Sequence, residues 1–153
     1  MIVLSHKNYL NTAKRMLANN NIKLTISSIK IRHESIDKLI KDIGENWDNE
    51  EYVLGLFLNA PEYCLSHPKV INQFADFLQC INNESLLSEF DLEDVESLYK
   101  LNLKTLPTEL SQYKDLAHYY NAVLNDEIKR NDVIKKGAEN CSLALDDLNI
   151  SNF

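Results

Sequence analysis

The residues best suited to catalysis or metal binding are scattered along this sequence rather than clustered. Its four histidines are His6, His33, His67 and His118. No two of them stand at the i, i+4 spacing, and no Cys/His ligand pattern accompanies them. Cys64 and His67 share a short segment and could in principle form a nucleophile–base pair. With only three glycines, the chain is too poor in glycine for a phosphate-binding loop. We therefore expect no enzyme activity, no cofactor and no metal site.

Acidic residues form two local clusters. The first comprises Asp42, Glu45, Asp48, Glu50 and Glu51, around Trp47 and Tyr52. The second comprises Glu84, Glu89, Asp91, Glu93, Asp94 and Glu96. Each cluster contains a predicted helix start, where carboxylates complement the helix dipole, so one interpretation is capping acids on a solvated face. The other interpretation is a docking surface for a basic partner.

The partner-binding residues that we predict come from these clusters and from the last part of the chain. Tryptophan and tyrosine are frequent interface anchors, so the only tryptophan and a tyrosine expected to point outward join the acids. The predicted set is Trp47, Asp48, Glu50, Glu51, Glu89, Asp91, Glu93, Asp94, Glu96 and Tyr119.

Charge divides the chain unevenly. Residues 1–41 hold eight basic and two acidic residues, whereas residues 42–153 hold eight basic and 21 acidic ones, and the net charge is −7. The basic first quarter could contact nucleic acid through several phosphates. The acidic remainder and a pI near 5.1 argue against that function.

Scarcity of turn residues indicates the fold class. Three Gly and three Pro in 153 residues are too few for the many turns of a strand-rich domain. We predict an all-α protein, a compact bundle of about six or seven helices, as a single helical domain over 1–153. Helices are expected at 34–43 with Gly44 after its end, from an Asp48 cap to Asn59, after Pro68, over Glu84–Phe90 and from an Asp91 cap.

Two segments leave alternatives open, and a third is expected to be one long helix. The isoleucines of residues 22–33 fit a helical stripe, which we favour, but residues 22–31 could also pair with residues 2–4 as a small β-ribbon. Thr108 is expected to cap a long helix over 109–136 that Gly137 stops. Residues 138–153 are expected to form either a short docked helix or a frayed tail.

The function expected from these features is protein binding. In general profile the chain is similar to small, acidic, helical immunity or inhibitor proteins of bacterial conflict systems, although no motif carries that similarity. The similarity implies a cytoplasmic inhibitor that neutralises a basic toxin or nuclease through an acidic surface, without a membrane partner. The alternative is a helical adaptor or regulatory domain, associated with nucleic acid through its basic first quarter.

Overall fold

The computed structural model describes the backbone of residues 20–150 and the side chains of residues 26–145. The described residues form eight helices and no strand. The helices are α1 (Asn20–Glu45), α2 (Glu50–Asn59), α3 (Glu62–Leu65), α4 (Pro68–Cys80), α5 (Glu84–Leu87), α6 (Leu92–Thr105), α7 (Leu110–Ala122) and α8 (Glu127–Ile150). The all-α prediction is confirmed, with one helix more than the upper estimate.

Residues 22–31 lie within α1, so the helix is confirmed over the ribbon for that segment, while residues 2–4 fall outside the described part. The isoleucine stripe is buried only in the second half of α1: Ile36 and Ile43 lie in the core, whereas Ile26 and Ile29 are 59% and 52% exposed. The prediction that this helix ends at residue 43, with Gly44 just after its end, is wrong. Helix α1 continues to Glu45, and Gly44 lies inside it on the solvent side.

The prediction of one long helix over 109–136 is also wrong, because the chain turns between α7 and α8. Asn125 adopts a positive φ of 50°, a left-handed conformation that asparagine tolerates better than most residues. The Asp126 side chain then accepts a hydrogen bond from the Lys129 N–H and starts α8. Gly137 does not stop this helix but lies within it, and the helix continues through residues 138–150.

One predicted helix cap and one predicted first-turn proline agree with the structure, and two predicted caps do not. Asp91 caps α6 in a full capping box with Asp94, and Pro68 occupies the first turn of α4. The cap of α2 is Asn49 rather than Asp48, because its side chain accepts from the Tyr52 N–H. Helix α7 begins after Glu109 rather than Thr108 and has no side-chain cap.

The helices pack largely in chain order around one continuous core. Helix α1 contacts α2, α3 and α4, while α4 packs on α6, α6 on α7, and α7 along α8. Aromatic rings fill both halves of the core: Phe57 packs on Phe74 and Phe77, and Tyr99 packs on Tyr119. This arrangement brings the end of α4, the α5 segment and the start of α6 to one edge of the molecule.

Candidate functional site

The edge where α4, α5 and α6 meet contains a cleft of about 370 Å³. Its walls are almost entirely apolar. The lining residues are Leu78, Gln79, Ile81, Leu87, Phe90, Asp91, Leu92, Val95 and Val123. We call this feature the acid-rimmed cleft, because the carboxylates of the second acidic cluster lie on the same segments of chain.

Three large apolar side chains around this cleft remain open to solvent. Leu87 is 44% exposed, Leu92 52% and Val123 40%. Single exposed hydrophobic residues are normal in soluble proteins, but several around one concave site mark a surface suited to a partner. Leu92 differs in this from Val95, which is only 3% exposed. Leu92 is the first residue of α6 and lies at the exposed start of that helix.

Asp91 lines the cleft, and three more carboxylates are next in the chain to residues that line it, without a basic partner among the described residues. Glu89, Asp91, Glu93 and Asp94 are all exposed, and none takes part in a described salt bridge. All four lie between the end of α5 at Leu87 and the first turn of α6, which begins at Leu92. The result is a concentrated negative potential beside an apolar surface.

Two of these four carboxylates also stabilise the start of α6. Asp91 Oδ1 accepts from the Asp94 N–H at 2.9 Å, and Asp94 Oδ2 accepts from the Asp91 N–H at 3.0 Å. Each carboxylate thus satisfies a backbone donor that the helix itself leaves free. Glu89 and Glu93 have no such structural bond among the described contacts, so their charge is available to a partner.

Glu96, also predicted to bind a partner, is mostly engaged within the protein. Its carboxylate accepts from Lys100 Nζ at 2.5 Å and from the Tyr120 hydroxyl at 2.8 Å, with Lys129 Nζ at 3.7 Å. The hydrogen bond from Lys100 is the largest cause of a lowered pKa of Glu96. Only 13% of its side chain is exposed, so this carboxylate belongs to the α6–α8 packing.

Tyr119 was expected to point outward, and this is wrong. Only 1% of its surface is exposed, because neighbouring helices cover more than one face of α7. Its hydroxyl donates to the Leu92 carbonyl oxygen at 2.7 Å. Burial, with the negative charges of Glu96 and Asp91 adding to it, raises the pKa of Tyr119 and keeps this donor protonated. This hydrogen bond from the buried Tyr119 therefore holds the backbone of Leu92 in place beside the cleft.

The first acidic cluster has a more structural character than the second. Trp47 is half-buried and packs edge-on against Phe77, with ring centroids 5.7 Å apart. The Glu50 carboxylate accepts from the backbone N–H groups of Asn82 at 2.7 Å and Asn83 at 3.1 Å. Asp48 and Glu51 are exposed. Glu50 thus fixes the loop that leads into α5 and the acid-rimmed cleft.

The segment with Cys64 and His67 serves the fold. Cys64 is 1% exposed and lies in the core. His67 Nδ1 accepts from the Lys69 N–H and caps α4. Burial, followed by the positive charges of Lys69 and His33, lowers the pKa of His67, which keeps this nitrogen an acceptor.

The basic first quarter offers few free cations in its described part. Arg32 lies over the Tyr63 ring at 5.2 Å, and Lys41 pairs with Glu45 at 3.6 Å. Lys30 and Lys38 are exposed. The side chains of Lys7, Lys14, Arg15 and Lys23 lie outside the described residues.

Comparison with known proteins adds no further functional information. The chain matches no protein family model, no curated protein and no solved structure. Within residues 20–150, no helix is long and apolar enough to cross a membrane. The same region contains no group of three or more His, Cys, Asp or Glu placed to hold a metal ion.

Proposed function

We propose that this chain is a protein-binding inhibitor that captures a basic partner at the acid-rimmed cleft, in the manner of a bacterial immunity protein. The observation that carries the proposal is the combination of exposed Leu87, Leu92 and Val123 with four carboxylates that no described cation neutralises. Apolar anchors in a pocket supply most of the binding energy of an interface, and surrounding charge selects the partner.

A toxic nuclease is a suitable partner in chemical terms. A protein that binds nucleic acid must present Lys and Arg to the phosphates, so its active surface is basic. An inhibitor with a negative rim is attracted to that surface and can cover it. The cleft of about 370 Å³ has room for one or two apolar side chains of the partner within that charged frame.

The charges and the apolar residues of the cleft should affect different steps of binding. Glu89 and Glu93 are free of structural bonds, so their main effect is expected on the association rate, through long-range attraction. Leu87 and Leu92 act only at contact, so their loss should increase the dissociation rate.

The first experiment captures the partner from a lysate of the source organism and purifies it for kinetic measurements. Glu89→Gln/Glu93→Gln should reduce the association rate several-fold at low salt, with a shallower salt dependence. The control, Glu62→Gln/Glu139→Gln, removes the same charge at exposed positions outside the cleft and should change the rate much less. If no stoichiometric partner is recovered at low and moderate salt, or if both double variants behave alike, the proposal is wrong.

A second pair of variants tests the apolar part of the cleft. Leu87→Gln/Leu92→Gln should raise the dissociation rate about tenfold or more, since well-packed anchors contribute at least 1.4 kcal/mol together. Leu58→Gln/Leu143→Gln changes side chains that are more exposed, at 73% and 63%, and that lie elsewhere. Unchanged dissociation in the cleft variant would place the interface on another surface.

The inhibitory part of the proposal needs its own measurement. Expression of the captured partner alone should slow cell growth, and co-expression with this chain should restore it. Growth should fail to recover with Leu87→Gln/Leu92→Gln. If the partner binds tightly but none of its activities changes when this chain is bound, the chain is a binding module and the proposed inhibitor function is wrong.

A further inference from the structure

We propose that a second cleft, between α6, α7 and α8, binds a small amphiphilic anion, that is, one anionic group on an apolar body. The cleft has a volume of about 460 Å³, within the usual range for small-molecule sites. It is separate from the acid-rimmed cleft and shares none of its lining residues. We call it the lysine cleft.

Local charge distinguishes the lysine cleft from the rest of residues 42–153. Residues 42–153 contain 21 acidic and only eight basic side chains. Three of those eight, Lys100, Lys104 and Lys136, line this one cleft, and none of its lining residues is acidic. A recess lined by cations, within this otherwise anionic part of the chain, favours an anionic ligand.

Two of the three lysines are free to bind an anion. Lys100 is paired with Glu96, whose carboxylate also accepts from the hydroxyl of Tyr120, another lining residue. Lys104 and Lys136 are exposed and form no salt bridge with any described residue. Lys104 comes from the last turn of α6 and Lys136 from the middle of α8, so they approach the cleft from two different helices.

The body of the cleft is apolar and fixed in place. Its floor includes Leu116 and the rings of Tyr113 and Tyr120, all at most 3% exposed. The Tyr113 hydroxyl donates to the Pro107 carbonyl oxygen at 2.5 Å and accepts from Asn140 Nδ2 at 2.7 Å, which holds its ring against α8. A preformed apolar recess with a few polar groups at its mouth is typical of a small-molecule site.

The experiment titrates the purified protein with 8-anilinonaphthalene-1-sulfonate, a sulfonate on an aromatic body, and follows its fluorescence. The uncharged analogue N-phenyl-1-naphthylamine measures the apolar contribution alone. Lys104→Gln/Lys136→Gln should raise the Kd of the sulfonate about fivefold, the combined effect expected of two exposed ion pairs. The Kd of the uncharged analogue should change less than roughly twofold, because it has no charge for the lysines to attract.

The matched control is Lys69→Gln/Lys135→Gln, which removes two exposed lysines outside the cleft. Dodecanoate should displace the sulfonate from the unmodified protein, whereas inorganic phosphate at the same concentration should not. Equal weakening by both double variants would show that binding follows net charge alone and would overturn the proposal. Displacement by inorganic phosphate would do the same, since it would show that the apolar walls are not used.

Discussion

At the scale of single residues, a carboxylate at the start of a helix can either hold another segment of the chain or remain a surface charge. The sequence does not show which of the two it does. Glu50 and Glu51 are neighbours in the first turn of α2. Only Glu50 reaches across to another element, where it accepts from the N–H groups of Asn82 and Asn83. Hydrogen bonds to a charged group contribute more than neutral ones, so Glu50 holds the loop before α5 while Glu51 remains a surface charge.

Glu50→Gln should therefore lower the free energy of unfolding by about 1–2 kcal/mol, since the uncharged amide has only one oxygen to accept from the two donors. Urea unfolding followed by circular dichroism measures this change. Glu51→Gln is the matched control and should cost less than about 0.5 kcal/mol. Equal effects of the two changes would mean that the bonds to Asn82 and Asn83 do not stabilise the fold.

Glu96 and Asp115 should give opposite pH dependences of stability. The hydrogen bond from Lys100 lowers the pKa of Glu96, so its stabilisation is present above the usual value of 4.5 and is lost as the pH falls through the lowered pKa. Burial, with the charge of Asp76 adding to it, raises the pKa of Asp115. Its ionised form therefore destabilises the fold, and stability falls as the pH rises from 3.8 through the raised pKa.

Urea unfolding at pH 3 and pH 7 tests both signs. The stability lost in Glu96→Gln should be greater at pH 7 than at pH 3. Asp115→Asn should gain stability relative to the unmodified protein as the pH rises over the same range, because it removes a carboxylate whose ionised form is disfavoured by burial. Parallel pH profiles for the unmodified protein and either variant would contradict the corresponding assignment.

At the scale of elements, the close approach of α7 and α8 depends on a residue without a side chain. A Cβ added at Gly137 would lie 2.7 Å from Cγ and 2.9 Å from Cβ of Tyr113, closer than real contacts allow. Gly44 and Gly55 are also inside helices, but a Cβ at either position would meet nothing within 4 Å.

Gly137→Ala should thus destabilise the protein by about 1–3 kcal/mol, because α8 must move away from Tyr113. Gly44→Ala and Gly55→Ala should stabilise it by about 0.5–1 kcal/mol, since alanine loses less backbone entropy in a helix. Thermal unfolding of the three variants side by side measures the difference. A Gly137→Ala protein as stable as the Gly44→Ala protein would disprove the close contact.

Element boundaries show how far the sequence could predict the fold. The scarcity of glycine and proline and the isoleucine stripe of α1 predicted helices correctly. The break after α7 was missed because apolar residues continue at helical spacing on both sides of it. The pair Asn125 and Asp126 was the available signal, since asparagine tolerates positive φ and aspartate is a good cap.

At the scale of the whole molecule, helices contact mainly their neighbours in the chain. Loops between such neighbours are short, so little loop entropy is lost before contacts form. We expect refolding within about 10 ms in water, as for other helical proteins rich in local contacts. Stopped-flow fluorescence of Trp47, which packs on Phe77 in the core, measures the rate. Refolding slower than about one second, without a slow proline phase, would contradict this expectation.

The sequence by itself determined the fold class and the placement of the acidic clusters, because helical periodicity and capping are local properties. It also predicted Glu89 and Glu93 as members of one acidic cluster, and the structure adds the cleft beside that segment. Only the tertiary structure decided which of the predicted residues face solvent. Tyr119 became buried and Leu92 exposed, since burial depends on how many neighbouring helices cover a face, and that is set by packing between distant segments. The lysine cleft likewise required the structure, because Lys104 and Lys136 are brought together only where α8 packs along α7 beside α6.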